Sequence, residues 1–212
     1  MKIAVFGAAG RIGSRIVKEA LNRGHDVTAI VRRPEEYAYI HDHLKVAKGD
    51  LFRAQDVETG AFDQDAVVSA YSPPKDIPAS TIAEVAVPLI KGLKQAHVKR
   101  LIVVGGAGSL YVEPGKQLID MPFFPEEYKS TAEAHRQALK FYMAEQDLDW
   151  TVISPAAEIE PGDRTGVFRT GGNQLLKDGN GQSFITMEDY AAAVLDEIEK
   201  PQHIKGQMTV AY

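Results

Sequence analysis

Three glycines, Gly7, Gly10 and Gly13, have the spacing in this chain that points most directly to chemistry. They follow a short apolar run, Ile3 to Phe6, and open a segment of helical period, so the local reading is strand, glycine turn, helix. In that setting Gly7 permits the tight turn, Gly10 lets backbone approach a diphosphate, and Gly13 lets helix and strand pack closely. Free N–H groups at the helix start attract the anion. The ligand expected of such a turn is a dinucleotide. Roughly twenty residues further on, where a carboxylate would hold a ribose 2′-hydroxyl, stand Arg32 and Arg33. A guanidinium grips a 2′-phosphate that a carboxylate would repel, so the expected cofactor is NADP, with NADPH preferred over NADH.

These residues need a frame to position them. Short apolar runs recur at Ile3 to Phe6, Val27 to Val31, Ala66 to Ala70, Leu101 to Val104 and Trp150 to Ile153, with a shorter one at Lys45 to Ala47. Apolar residues at both alternating positions mean that both faces of each strand are covered, as in a parallel sheet flanked by helices. Between the runs, Ile12, Ile16, Val17, Ala20 and Leu21 form one helical stripe, stopped by Gly24. Ile82, Val85, Ala86, Leu89, Ile90 and Leu93 form another, in which Pro88 predicts a kink or a late start. Residues 126–145 form a third. The alternation predicts an α/β fold of Rossmann type: a doubly wound, mainly parallel sheet with helices on both faces.

The carboxyl-terminal part reads differently. A glycine-rich polar stretch, 162–181, precedes a short strand at 183–185, a helix opened by Thr186 and Asp189 in the manner of a capping box, and a last strand at 208–212. Residues 1–212 are expected to form one domain, with 156–212 as a small substrate-side elaboration or lid.

Composition narrows the function classes. The chain has 212 residues, 24 Lys and Arg against 29 Asp and Glu, a net charge of −5 and 44% hydrophobic residues, which excludes disordered and fibrous classes. No basic run marks a nucleic-acid surface. With no cysteine there is no disulfide, thiolate metal site or cysteine nucleophile. His41 and His43 read as a surface turn rather than a metal site, so no metal is expected. No apolar stretch has the length of a membrane span. The expectation is a cytoplasmic protein, monomer or homodimer, acting on a small molecule without nucleic acid or membrane.

The GxxGxxG turn, the segment Val103-Val-Gly-Gly-Ala-Gly-Ser-Leu110, the segment Leu148-Asp-Trp-Thr-Val-Ile-Ser-Pro155 and the late Glu188-Asp-Tyr-Ala191 together resemble the atypical short-chain dehydrogenase/reductases. More narrowly, they resemble the NAD(P)H-binding group that includes NmrA-like proteins and biliverdin reductase B-type flavin reductases. The resemblance spans nearly the whole chain. It implies that Gly7, Ala9, Gly10, Arg11, Ile12 and Gly13 hold the pyrophosphate, that Arg32, with Arg33 beside it, holds the 2′-phosphate, and that Asp50 and Leu51 meet the adenine. It places Ser69, Ala70 and Tyr71, with Gly105, Gly106 and Pro155, along the ribose and nicotinamide side. Asp50 also reads as an Asx turn or helix cap, and Ser154 stands where relatives often have Arg.

Family members that act on alcohols use a Tyr and a Lys four residues later on one helix face. The one such spacing here is Tyr71 to Lys75, which Pro73-Pro74 keeps out of a helix. Tyr128 lies where the family would place its tyrosine, but residue 132 is Ala. Tyr128 and Ser109 remain the candidate catalytic groups, each with a structural alternative: a half-buried core tyrosine and a turn serine. Without the relay, an acceptor that draws its proton from water is favoured. The expectation is therefore an NADPH-dependent reductase passing hydride to a flavin, quinone or related conjugated acceptor. The alternative is a non-catalytic NADP(H)-sensing module acting on a partner protein. An epimerase would need an acid/base pair that the sequence does not display.

Overall fold

The computed structural model describes residues 1–212. The elements are β1 (Lys2–Phe6), α1 (Arg11–Asn22), β2 (Asp26–Val31), β3 (Leu44–Lys48), α2 (Ala54–Ala61), β4 (Ala66–Ser69), α3 (Thr81–Glu84), α4 (Ala86–Gln95) and β5 (Arg100–Val104). There follow β6 (Tyr111–Glu113), β7 (Lys116–Gln117), α5 (Glu126–Ala144), β8 (Asp149–Ser154), β9 (Glu158–Glu160), β10 (Arg169–Gly171), β11 (Phe184–Thr186), α6 (Met187–Glu199) and β12 (Gly206–Ala211).

Eight strands form the central sheet in the order β3-β2-β1-β4-β5-β8-β12-β10, every pair parallel except β10 with β12. The expected doubly wound architecture is present. Alternation explains why these runs became inner strands: Ile3 and Val5 of β1 face a core shared with α1 and α6, while Ala4 and Phe6 face a second core shared with α2, α4 and α5. Both faces are therefore dry, and a polar residue at either position would cost burial without a partner. The strand order reverses between β1 and β4, which opens a crevice at their carboxyl ends, the place where ligands collect in such sheets.

Local chemistry sets the breaks. Gly24 takes φ 79 and ends the turn after α1, and Pro88, lacking an N–H, sits in the first turn of α4 after a break from α3 at Val85. At α6 the Thr186 hydroxyl accepts from the Asp189 N–H at 3.1 Å, as a cap should. The Asp189 carboxylate does not return to the cap residue. It accepts from Thr165 Oγ1 (2.5 Å), the Gly166 N–H (2.8 Å) and the Tyr212 hydroxyl (2.7 Å), pinning the long loop instead.

The stretch 156–212 divides accordingly. Helix α6 packs into the α1 core and β12 joins the sheet beside β8, so both are framework. What lies outside the main layers is 157–168 and 172–186, tied together by the small β9–β11 pair. No helix is long and apolar enough to cross a membrane.

Candidate cofactor crevice and its pocket

The glycine turn sits at the reversal point. Gly7 has φ 76, and a Cβ there would lie 2.5 Å from the Ala70 carbonyl oxygen; a Cβ on Gly13 would lie 2.1 Å from the Gly7 oxygen. Strand, turn, helix and the end of β4 thus touch backbone to backbone, which only glycine allows. Gly10 differs: the nearest atom to its missing Cβ, at 3.2 Å, belongs to the turn itself, and Ala9, Gly10 and Arg11 are exposed. The Gly10 N–H closes the turn onto the Gly7 oxygen at 2.9 Å, and the first helical bond runs from Ser14 to Gly10. The N–H groups of Arg11, Ile12 and Gly13 consequently have no helical acceptor. No side chain caps α1 and no acidic residue occupies its first turn. Its positive end is uncompensated within the chain, which suits an anion such as a diphosphate.

The two arginines after β2 part company. Arg33 is held by Glu36 at 2.7 Å, whereas Arg32 is exposed and has no ion-pair partner. Asp50, half-buried beyond β3, accepts from the Phe52 N–H with Oδ1 at 3.0 Å, so the Asx turn exists, and its Oδ2 has no partner in the chain. Leu51 is buried beside it. Ser69 and Ala70 are buried at the end of β4, and Tyr71 donates to Thr81 Oγ1 at 3.1 Å while its ring meets Phe52 edge-on at 5.9 Å. Pro155 is buried immediately after β8. All these positions except the two arginines and Asp50 with Leu51 lie at the ends of β1, β4, β5 or β8, around one crevice.

Past the reversal point, Ser69, Tyr71 and Gly105 line a mostly apolar pocket closed by α3 and α5. Neither sequence-expected catalytic group lines it. Ser109 is only 2% exposed; its Oγ accepts from Gln207 Nε2 at 2.9 Å, and the same amide nitrogen donates to Ser154 Oγ at 2.9 Å. This hydroxyl joins β12 and β8 to the turn after β5. Tyr128, in the first turn of α5, is 58% exposed. The arginines of the 162–181 stretch are engaged within the chain: Arg164 forks onto Glu19 (2.7 and 2.8 Å), and Arg169 donates to the Lys177 and Tyr212 carbonyls.

The pocket wall contains a residue that the sequence reading passed over. His135 lies on α5 among Ala132, Ala138, Leu139 and Tyr142, a stripe that faces the sheet, and a histidine inside an apolar stripe was the available signal. Its ring lies against Gly106, where a Cβ would come within 2.9 Å of the imidazole. Ala132 lies against Gly108 in the same way, 2.6 Å from a Cβ there. The glycines of this turn are filled by the helix rather than left open. Burial without a compensating charge pushes the His135 imidazole down to about 4, so it is neutral near pH 7.

A doubly wound sheet with a bare glycine turn at its reversal point defines a dinucleotide-binding protein of the oxidoreductase type. The chain belongs to the NAD(P)H-binding family, whose model matches residues 7–201. Among solved structures it is similar to a candidate exported protein from Burkholderia pseudomallei, at 49% identity with TM-score 0.92 over 100% of both chains. It is also similar to a candidate epimerase from Bacteroides thetaiotaomicron, at 42% identity and TM-score 0.91 over 100% of this chain and 96% of that one. A third is a candidate NADH-flavin reductase from Streptococcus pneumoniae, at 34% identity and TM-score 0.90 over 100% and 99%. These relatives agree with the resemblance to atypical short-chain dehydrogenase/reductases.

Proposed function

We propose that this protein is an NADPH-dependent reductase that passes hydride to a flavin, quinone or related conjugated small molecule. The observation that carries the reading is the pairing of an uncompensated helix start, three N–H groups wide, with the uncommitted guanidinium of Arg32. Under this reading the amides of Arg11, Ile12 and Gly13 hold the diphosphate, Arg32 holds the 2′-phosphate, and the free oxygen of Asp50 accepts from the adenine amino group. Ser69, Ala70, Tyr71, Gly105 and Pro155 shape the nicotinamide end and keep water from it. The bound cofactor supplies the hydride.

An acceptor of this kind takes its proton from solvent, so the chain needs no tyrosine–lysine relay, in keeping with an exposed Tyr128 and a sequestered Ser109. The Streptococcus pneumoniae relative is named for NADH and flavin; the flavin half supports the acceptor class, while Arg32 argues for NADPH in this chain. The test is NADPH consumption with a panel of flavins and quinones. Acceptor-dependent oxidation is expected. Tight NADPH binding with no turnover on any member would instead favour a cofactor-sensing module.

A further inference from the structure

We infer that His135 is a substrate-facing group of this site, its ring N–H donating a hydrogen bond to the acceptor atom that gains charge as hydride arrives. The inference rests on the reductase reading and adds to it a residue and a recognition rule. Position comes first. His135 lines the same pocket as Ser69, Tyr71 and Gly105, at the carboxyl ends of β4 and β5. Gly106 leaves the space that its ring occupies, and Ala132, one turn earlier on α5, is fitted just as closely to Gly108. The helix is therefore seated on the turn after β5 in a way that fixes where the imidazole can be.

Its surroundings come second. The pocket has 12 lining residues, nine of them hydrophobic, so an imidazole there is conspicuous. It makes no hydrogen bond within the chain, and burial is the whole cause of its lowered basicity. The titratable groups that share the pocket are the phenols of Tyr71, from the loop after β4, and Tyr142, from α5 itself. Burial pushes the Tyr142 phenol up, so it brings no charge to the pocket near neutral pH. The adjacent Arg136 is taken by Glu133 and Asp120. Its ring nitrogens have no partner in the chain and are not sealed off from the pocket, so they are free to meet a ligand.

The chemistry balances without an added reagent. Hydride delivery forms a new bond on the acceptor and leaves the displaced electron pair on a conjugated oxygen or nitrogen, while the cofactor is oxidised by two electrons. Water then protonates that atom. A neutral imidazole stabilises the developing charge as a fixed donor and is not consumed as an acid. The favoured substrates are therefore flat, conjugated acceptors with a carbonyl oxygen or ring nitrogen at the reacting edge.

Three experiments decide it. With 15N-histidine protein loaded with NADP⁺, so that no turnover occurs, adding flavin mononucleotide should shift the His135 ring nitrogens; an unchanged signal at saturating flavin overturns the inference. Separately, His135→Leu should lower kcat/KM for the acceptor on the order of a hundredfold, the scale for losing one positioned donor. NADPH affinity should stay within about twofold, and His135→Gln, which restores an N–H, should recover much of the loss. Turnover by His135→Leu equal to the wild type sinks the role of His135 and leaves the reductase reading standing. Failure of the wild type to bind NADPH removes both. An acceptor kcat/KM that falls with an apparent pKa near that of free imidazole would also overturn the neutral-donor role, for which a flat profile is expected across that range.

Discussion

Two glycine turns in this molecule, one after β1 and one after β5, use the same residue for opposite ends. After β1, glycines bring backbone into contact with backbone, and the result is a helix start whose amides remain bare. After β5, the space over Gly106 and Gly108 is filled by His135 and Ala132 of the next helix. The first turn leaves amides free at a helix start, and the second makes room for a neighbouring helix. A glycine pattern by itself does not tell these apart; the neighbouring helix does.

The comparison breaks most severely at Gly13. Alanine there would put a methyl 2.1 Å from a backbone oxygen that cannot move freely. Gly13→Ala should cost about 3 kcal/mol in urea unfolding, the upper range for overpacking, and should abolish measurable NADPH binding. Gly10→Ala, whose methyl would meet a backbone oxygen at 3.2 Å rather than 2.1 Å, should cost less stability than Gly13→Ala and still lose NADPH affinity in a fluorescence titration. If both variants lose stability alike, the turn after β1 is merely structural.

Acid sharpens the other half. The His135 ring titrates near 4 in the folded chain against 6.5 for the ordinary group. Between those values the unfolded chain binds the extra proton, so the stability held above the higher value is lost as pH falls toward the lower one. The loss is at most about 3 kcal/mol. Urea midpoints across that window should fall for the wild type and fall less for His135→Gln; parallel slopes would mean that the ring is solvated rather than enclosed.

A smaller effect is expected at Gly106→Ala, whose methyl would meet a side chain able to tilt. The acceptor KM should rise about tenfold through the displaced imidazole, with NADPH affinity unchanged. A loss confined to NADPH binding would show that the second turn also belongs to the cofactor.

The frame was readable because its signals are local and redundant. Runs with both alternating positions apolar became the six inner and edge strands named from them, and Gly24 and Pro88 broke helices where their backbone chemistry requires. The geometry of the first glycine turn was readable for the same reason, since a glycine turn between a strand and a helix is a short-range pattern. Other features depend on packing across the sequence. That Gln207 ties up Ser109 and that Asp189 pins residues 165–166 are pairings between distant parts of the chain, invisible to periodicity. His135 was missed because its importance lies in facing Gly106, about thirty residues away and on another element. The extent of the lid was overdrawn because α6 and β12 carry ordinary core patterning that the polar stretch before them obscured.

The central claim is that the start of α1 seats a dinucleotide diphosphate and that Arg32 selects the 2′-phosphorylated form. Titrating wild type and Arg32→Ala with NADPH and with NADH tests both parts at once. The wild type should bind NADPH at least about tenfold more tightly than NADH, a preference that Arg32→Ala erases by weakening NADPH alone. Equal affinity of the wild type for the two cofactors would contradict the selection, and no binding of either would contradict the seat itself.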